Sequence, residues 1–400
     1  MWVPSPSATQ QNCRMAQQTI GIIVNGATGR IGSTQHLANA LVPIIAEGGL
    51  ALEQDRLLPR LLLVGRDAER LAAVARNHKL ADWTTNLDAA LADPAYAILF
   101  DAAATQQRVS VLEKAIAAGK HVYCEKPVAP TAAQALMLLR QVERRGLRHG
   151  VVEDKVHLPG LSKLAAVVAR GELGRLVGFR LDFGWWVFDG SEQPCQRPSW
   201  NYRPGGGGII LDMYPHWRYV IESIIGRIAA VASSAWIATP ERIDERGERY
   251  SVAVEDSAAT LLEVEGGVFG TVASSWATRV RRDDLLTLQI DGTQGSAIAG
   301  LHRCRVQSTA QTPAISHFNV MQDIGADYHS GWADAPTLPS YRNPYRVGWE
   351  AFLRHVAAGA PLACDFTAGI RDVAFAEACH RSTEERRWIP FPPPAGVDAG

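Results

Sequence analysis

The sequence predicts an α/β Rossmann domain, a doubly wound parallel sheet, followed by an α+β domain with a mainly antiparallel open sheet. Two observations carry this. Strand-like apolar runs alternate with helix-like stretches throughout residues 19–147, the pattern of a parallel sheet with crossover helices. After Gly150 the runs become short, alternating and joined by tight turns, as in antiparallel pairing. Four hundred residues also exceed what one core usually supports. Residues 1–18 therefore read as a flexible tail, 19–150 as the parallel-sheet unit, 151–385 as the α+β unit, and 386–400 as a proline-rich tail.

Composition narrows the class. With 47% hydrophobic and 20% charged residues the chain reads as globular. A net charge of −1 offers no electrostatic basis for binding nucleic acid or an anionic membrane. The six cysteines are scattered, with no Cys-x-x-Cys pair, and read as reduced, mostly buried thiols. Histidine spacing suggests no metal site. Residues 1–18 lack a charged n-region and an apolar h-region, and the run at 20–24 is too short to span a bilayer. A cytoplasmic protein acting on a small molecule is the expectation.

In chain order, residues 19–24 are nearly all apolar, as in a strand buried on both faces. They run into Gly26-x-x-Gly29-x-x-Gly32 and a helix-like stretch over 33–45. Strand, glycine turn and helix in that order are what a dinucleotide loop requires. The backbone turns tightly, and the pyrophosphate sits at the helix N-terminus. Gly26, Thr28, Gly29, Arg30 and Ile31 are the expected contacts. The second strand, over 61–64, arrives late; the surplus at 47–59 reads as an extended helix end plus a loop. Its tip carries Gly65, Arg66 and Asp67. Arg66 can pair with a 2′-phosphate, so NADP is favoured, while Asp67 could serve NAD through the ribose hydroxyls.

A weak third unit surrounds Trp83. A strand over 97–101, a tip near Thr105 that can face the cofactor, and a helix over 106–118 follow. The next strand, His121 to Cys124, ends in Glu125-Lys126-Pro127. Pro127 has no N–H and stops the strand, and it restricts Lys126 to extended or turn backbone. A rigidly held lysine at the carboxyl end of a parallel strand lies where ligands of such sheets bind.

In the second domain a strand over 151–155 leads to Asp154, Lys155 and His157, and a helix begins at Pro159. Strands over 176–186, 228–237, 251–264, 268–276 and 285–290 build the sheet. Helices are expected over 214–225, 347–358 and 368–384. Ahead of the first of these lies Gly205-Gly-Gly-Gly208-x-x-x-Asp212-x-x-x-His216. Asp212 reads as an N-cap, with Pro215 in the first turn. Four residues apart, Asp212 and His216 share a face, where a carboxylate can orient the imidazole for proton transfer. Trp200 and Tyr202, on a glycine hinge, suit a lid over a polyhydroxylated ligand, and Trp185 and Trp186 divide between sheet core and sugar stacking. An ordinary surface loop and a structural histidine are the bland alternatives.

Taken together, Gly26-x-x-Gly29-x-x-Gly32, the string Gly119-Lys-His-Val-Tyr-Cys-Glu125-Lys126-Pro127 and Gly208-x-x-x-Asp212-x-x-x-His216 resemble the Gfo/Idh/MocA oxidoreductase family over roughly residues 19–385. The resemblance implies that Lys126, Asp212 and His216 line the active site, with Glu125 and Pro127 shaping the nicotinamide pocket. It further implies hydride transfer between NADP or NAD and a sugar or cyclitol carbinol, and a homo-oligomer formed through the open sheet. Lys155, His157, Trp200, Tyr202 and Tyr214 are the substrate-side candidates. Two departures stand out: Thr105-Gln106-Gln107-Arg108 replaces the usual Pro or Asn followed by His, and Tyr214 replaces a common Gly. Two other readings stay open: a redox-neutral glycoside hydrolase or lyase, and a non-catalytic nicotinamide sensor.

Overall fold

The computed structural model describes residues 16–53, 55–186, 199–204, 207–314, 321, 327–336 and 342–391. Its first half builds one sheet from β1 (Ala16–Asn25), β2 (Leu50–Ala51), β3 (Asp55–Val64), β4 (Asp82–Thr84), β5 (Ile98–Asp101), β6 (His121–Cys124) and β7 (His149–Val151). The order is β2-β3-β1-β5-β6-β7, with β4 also paired to β3; every pair except β2–β3 is parallel. β1 lies between β3 and β5, which is why Ile22, Ile23 and Val24 are all buried. Ile23 faces one apolar cluster, while Ile22 and Val24 face the other.

Helices cover both faces. The first, α1, is wound as a π-helix over Ile31–Leu41 and as an α-helix over Val42–Ala46. α2 (Ala68–Asn77), α3 (Leu87–Ala92), α4 (Thr105–Ala117) and α5 (Ala132–Arg144) follow. The region expected as helix end and loop, 47–59, is instead largely strand. β2 pairs antiparallel with Arg56 and Leu57, and β3 continues through Pro59 beside Ile20. Pro59 is tolerated because β4 pairs only with Leu62 to Val64, leaving the outer edge of β3 open there. The strand expected at the start of the second domain is also displaced. It ends at Val151 and closes the first sheet, so Glu153 to His157 emerge at that sheet's carboxyl edge, the last three as a 3-10 turn.

The second sheet comprises β8 (Leu176–Gly184), β9 (Ile228–Trp236), β12 (Ser257–Val264), β13 (Val268–Ser275), β14 (Leu286–Gly292), β15 (Gly295–Ala299), β16 (Cys304–Ser308), β17 (Ala333–Asp334) and β18 (Ile389–Pro390). A small ribbon of β10 (Glu241–Ile243) and β11 (Arg249–Ser251) stands apart. The order is β17-β16-β15-β14-β8-β13-β12-β9-β18, antiparallel except for β8–β13. Between β12 and β13 the chain reverses on Gly266 and Gly267, both at positive φ. One face is covered by α6 (Pro159–Ala169), α7 (Ile209–Ile224) and α9 (Phe366–Glu385) around Trp217 and Trp276. On the other, Leu261 and Phe269 are about half exposed.

The two C-terminal helices join the halves. α8 (Pro344–Ala358), grouped by sequence with the second domain, buries Trp349, Phe352 and Leu353 against the first sheet. α9 buries Phe366, Ile370 and Val373 in the first sheet's cluster, and Phe375, Ala376 and Cys379 in that of the second. The carboxyl ends of β6 and β7 are thereby held against the start of α7.

Candidate active site

Val122, Tyr123 and Cys124 are buried in β6, and the chain leaves that strand through Glu125, Lys126 and a cis bond to Pro127. A buried network behind this exit fixes its backbone. Arg108, from the first turn of α4, donates Nε to Asp101 Oδ2 (3.0 Å), Nη1 to the Pro127 carbonyl (2.5 Å) and Nη2 to the Ala103 carbonyl (2.9 Å). Asn25 donates to the other oxygen of Asp101 (2.7 Å). The departure seen in sequence at 105–108 is thus a buried clamp: Thr105 opens α4 as a buried residue, and Arg108 grips the neighbouring strand end. Glu125 is held too. Trp349 Nε1 donates to His36 Nδ1 (2.9 Å), and indole nitrogen only donates. The His36 proton therefore sits on Nε2 and is donated to Glu125 Oε1 (2.7 Å).

Across the cleft, Lys126 Nζ donates to the Asp212 carbonyl (2.6 Å) and to Asp212 Oδ1 (2.8 Å). Asp212 and His216 do share a face, but the local reading needs three corrections. α7 begins at Ile209 after Gly208, whose φ is +104°. Its first amides are capped by Glu255, through the backbone carbonyl to Ile209 N (3.0 Å) and Oε1 to Ile210 N (3.1 Å), so Asp212 is not the N-cap. Pro215 lies in the second turn, leaving the Leu211 carbonyl without its helical donor. And the carboxyl beside His216 is Glu153, with Oε2 at 3.1 Å from Nδ1; Asp154 Oδ1 is at 4.0 Å. Asp154 in turn pairs with Lys155 (2.6 Å), and burial lowers the pKa of nearby His157.

Behind His216 runs a buried charged chain. Arg218 donates to Asp372 (2.6 Å) and Glu222 (2.9 Å), and Arg371 pairs with Glu222. Burial alone would lower the Arg218 pKa, but Asp372 and Glu222 together hold it raised. Burial pushes the Glu153 carboxyl well above the usual carboxylate range, with the like charge of Asp372 adding to it.

The glycine loop fits a dinucleotide. A Cβ on Gly26 (φ +81°) would stand 2.7 Å from the Ala102 carbonyl carbon, and one on Gly32 would stand 2.4 Å from the Gly26 carbonyl oxygen. Bare backbone is therefore obligatory, while Gly29 and Arg30 are exposed and Thr28 and Ile31 half exposed at the mouth. At the tip of β3, Arg66 is exposed. Asp67 Oδ1 caps α2 by accepting from Arg70 N (3.0 Å), and Arg70 Nη2 reaches the Thr28 carbonyl (3.3 Å).

Two of the other candidates lie in the core of the second domain. Tyr202 is buried edge-on against Trp276 beneath the Arg242 guanidinium. Tyr214 is buried against Phe375, and its hydroxyl accepts from Thr260. Both are core residues, so neither serves as a substrate contact. Trp200 is 46% exposed on its short turn. Trp185 packs on the core, while Trp186 is exposed with Arg279 over its ring. Gly205 and Gly206 of the expected glycine hinge lie outside the described residues. Sequence reasoning missed the positions of Glu153, Arg108, His36 and Trp349. Glu153 alone carried a signal, a carboxylate directly after an apolar strand. Among the described residues, no three His, Cys, Asp or Glu cluster to hold a metal, and no helix is long and apolar enough to cross a membrane.

A glycine cradle and Lys126 at the carboxyl end of one parallel sheet, faced by Asp212 at the start of α7, fit a nicotinamide-dinucleotide oxidoreductase. The model of the oxidoreductase family with an NAD-binding Rossmann fold matches residues 49–152, and that of the GFO/IDH/MocA C-terminal domain matches 161–298. D-xylose dehydrogenase of Paenarthrobacter nicotinovorans is 41% identical over 93% of this chain and 97% of its own. Levoglucosan dehydrogenase of Pseudarthrobacter phenanthrenivorans is 24% identical over 94% and 99%. A levoglucosan dehydrogenase structure in complex with NADH and L-sorbose superposes with a TM-score of 0.77 at 21% identity, covering 94% of this chain and 99% of that one, which speaks for the fold. The chain belongs to the Gfo/Idh/MocA family of oxidoreductases.

Proposed function

We propose that this protein transfers a hydride between the nicotinamide of NAD(P) and a carbinol carbon of a sugar or close derivative, with D-xylose the first substrate to try. One observation carries the reading: Lys126, at the carboxyl end of the cofactor sheet, meets Asp212 of α7, one turn ahead of His216. A bound NAD(P), held by the glycine loop, would supply or accept the hydride. The chain's own residues handle the hydroxyl. Lys126 donates a hydrogen bond to the reacting oxygen as charge develops there. Asp212 holds the ammonium in place. His216, whose Nδ1 faces Glu153, exchanges the hydroxyl proton through Nε2. Lys155 and His157, on the turn that follows Glu153, are the substrate-side candidates. The test is Lys126→Ala: cofactor binding by fluorescence should stay near wild type while hydride transfer falls at least about 10³-fold. Substantial residual turnover would sink the assignment.

Asp67 is committed to capping α2 while Arg66 stands exposed at the strand tip, which supports NADP over NAD. A homo-oligomer through the open face of the second sheet is supported by the half-exposed Leu261 and Phe269. A cytoplasmic setting is supported by the buried free thiols Cys124, Cys304, Cys364 and Cys379.

A further inference from the structure

Two carboxyls are buried behind His216, and each has one oxygen with no donor. Glu153 uses Oε2 toward His216 Nδ1, and its Oε1 is buried without a partner. Asp372 uses Oδ1 toward Arg218, and its Oδ2 is likewise left over. Glu153 is 3% exposed and Asp372 1%, and the two side chains lie within hydrogen-bonding reach of each other. Two buried carboxyls this close, each with an oxygen left without a donor, are satisfied when one of them carries a proton and donates it to the other. Burial raises the Asp372 carboxyl as well, but Arg218 sits on it and opposes that rise, whereas Glu153 has no such partner and is raised well above the usual range. The proton then belongs to Glu153.

We infer that Glu153 is a positioning residue that carries a proton in the resting enzyme, donated from Oε1 to Asp372, so that His216 is oriented by a neutral acceptor. The inference rests on the proposed role of His216. In this state Nδ1–H donates to Glu153 Oε2, and Nε2 is the nitrogen that takes the hydroxyl proton. The surroundings are charge-balanced. Asp154 flanks Glu153 in the chain; His216, Arg218, Tyr219 and Glu222 face the pair from α7; Asp372 and Arg371 from α9; Cys364 ahead of α9, and Tyr345 from α8. Arg218 and Arg371 match Asp372 and Glu222, and Lys155 matches Asp154. An ionised Glu153 would leave a surplus negative charge against the imidazole and favour its charged, non-basic form. A neutral Glu153 aims the ring without that bias.

Glu153→Gln separates the two states. The amide reproduces a protonated carboxyl: its oxygen accepts from His216 Nδ1–H and its NH2 donates to Asp372. Turnover should stay within about threefold, and the acid limb of the kcat/KM pH profile should not move. Asp372→Asn places a donor opposite Oε1, ionises Glu153 and should shift that limb upward by about one pH unit. Glu153→Leu, lacking any acceptor, should lose about 10²-fold in kcat. An infrared comparison of wild type and Glu153→Gln, made without substrate, should show one protonated-carboxyl C=O band lost. The inference is overturned if Glu153→Gln loses more than about 30-fold, if its acid limb falls by about a unit, or if no such band is lost. If His216→Asn instead turns over normally, the proton-transfer reading fails, and the infrared band alone then decides whether Glu153 holds the proton.

Discussion

Replacing Arg108 with Met probes whether the lysine at the heart of the site is aimed by a buried clamp. Methionine keeps most of the apolar stem and removes three donors. Asp101 is fully buried and would retain Asn25 Nδ2 and a long contact from Ala103 N (3.4 Å). The Pro127 and Ala103 carbonyls would lose their guanidinium partner. Breaking a buried ion pair from one side costs about 3–5 kcal/mol, because the remaining charge is stranded. For a chain of 400 residues unfolding as one unit, that is a fall in Tm of about 4–6 °C. The functional effect should exceed the loss of stability. With its carbonyl unpinned, the turn carrying Lys126 can shift, and a misplacement of about 1 Å costs about 10²-fold in rate. Arg108→Lys should recover part of the stability through Asp101 but little of the rate, since one ammonium cannot span three acceptors. Calorimetry at a temperature-matched pH, paired with kcat well below the Tm, distinguishes the two losses. Arg108→Met with a Tm within about 1 °C and kcat within about twofold of wild type would refute the clamp.

Arg66→Ala should weaken NADP binding by about 10-fold, as for one lost charge-assisted contact, and leave NAD within about twofold; fluorescence titration with both cofactors checks this, and equal losses would remove Arg66 from the 2′-phosphate. His149 is a pH probe of the fold. Burial lowers its pKa to about 4, and its Nδ1 accepts from Phe366 N (3.1 Å). The unfolded chain takes up this proton first, so the stability His149 contributes is intact above its ordinary value near 6.5 and is lost as pH falls toward about 4. The slope is at most about 1.4 kcal/mol per pH unit. His149→Asn, which keeps an acceptor for Phe366, should flatten denaturation midpoints across that window; an unchanged acid slope would show that another group sets it.

The correspondence between sequence and structure divides by range. The apolar run at 20–24, the glycine spacing and the string ending in Lys126 all report on neighbours within one turn or strand, and each landed where expected. The errors arose where a distant partner overrode local chemistry. Asp212 looked like an N-cap, but Glu255 arrives from another segment to cap α7, so the helix begins at Ile209. Tyr202 looked available to substrate because a polar tip near a glycine hinge is a local signal, and Tyr214 because the resemblance placed it beside Asp212. Their burial against Phe375 and Trp276 is not a local signal.

The sequence by itself determined the two-domain architecture, the cofactor cradle and the residue types available for chemistry, because periodicity, glycine freedom and the missing proline N–H act on adjacent backbone. Only the tertiary structure decided which groups meet. It put Lys126 on Asp212, Glu153 behind His216, Arg108 under Pro127 and Trp349 on His36. Those pairings span separations in the chain from 19 to 313 residues. They exist because two packed cores and the helices that bridge them fix each side chain's direction, which local propensity does not encode.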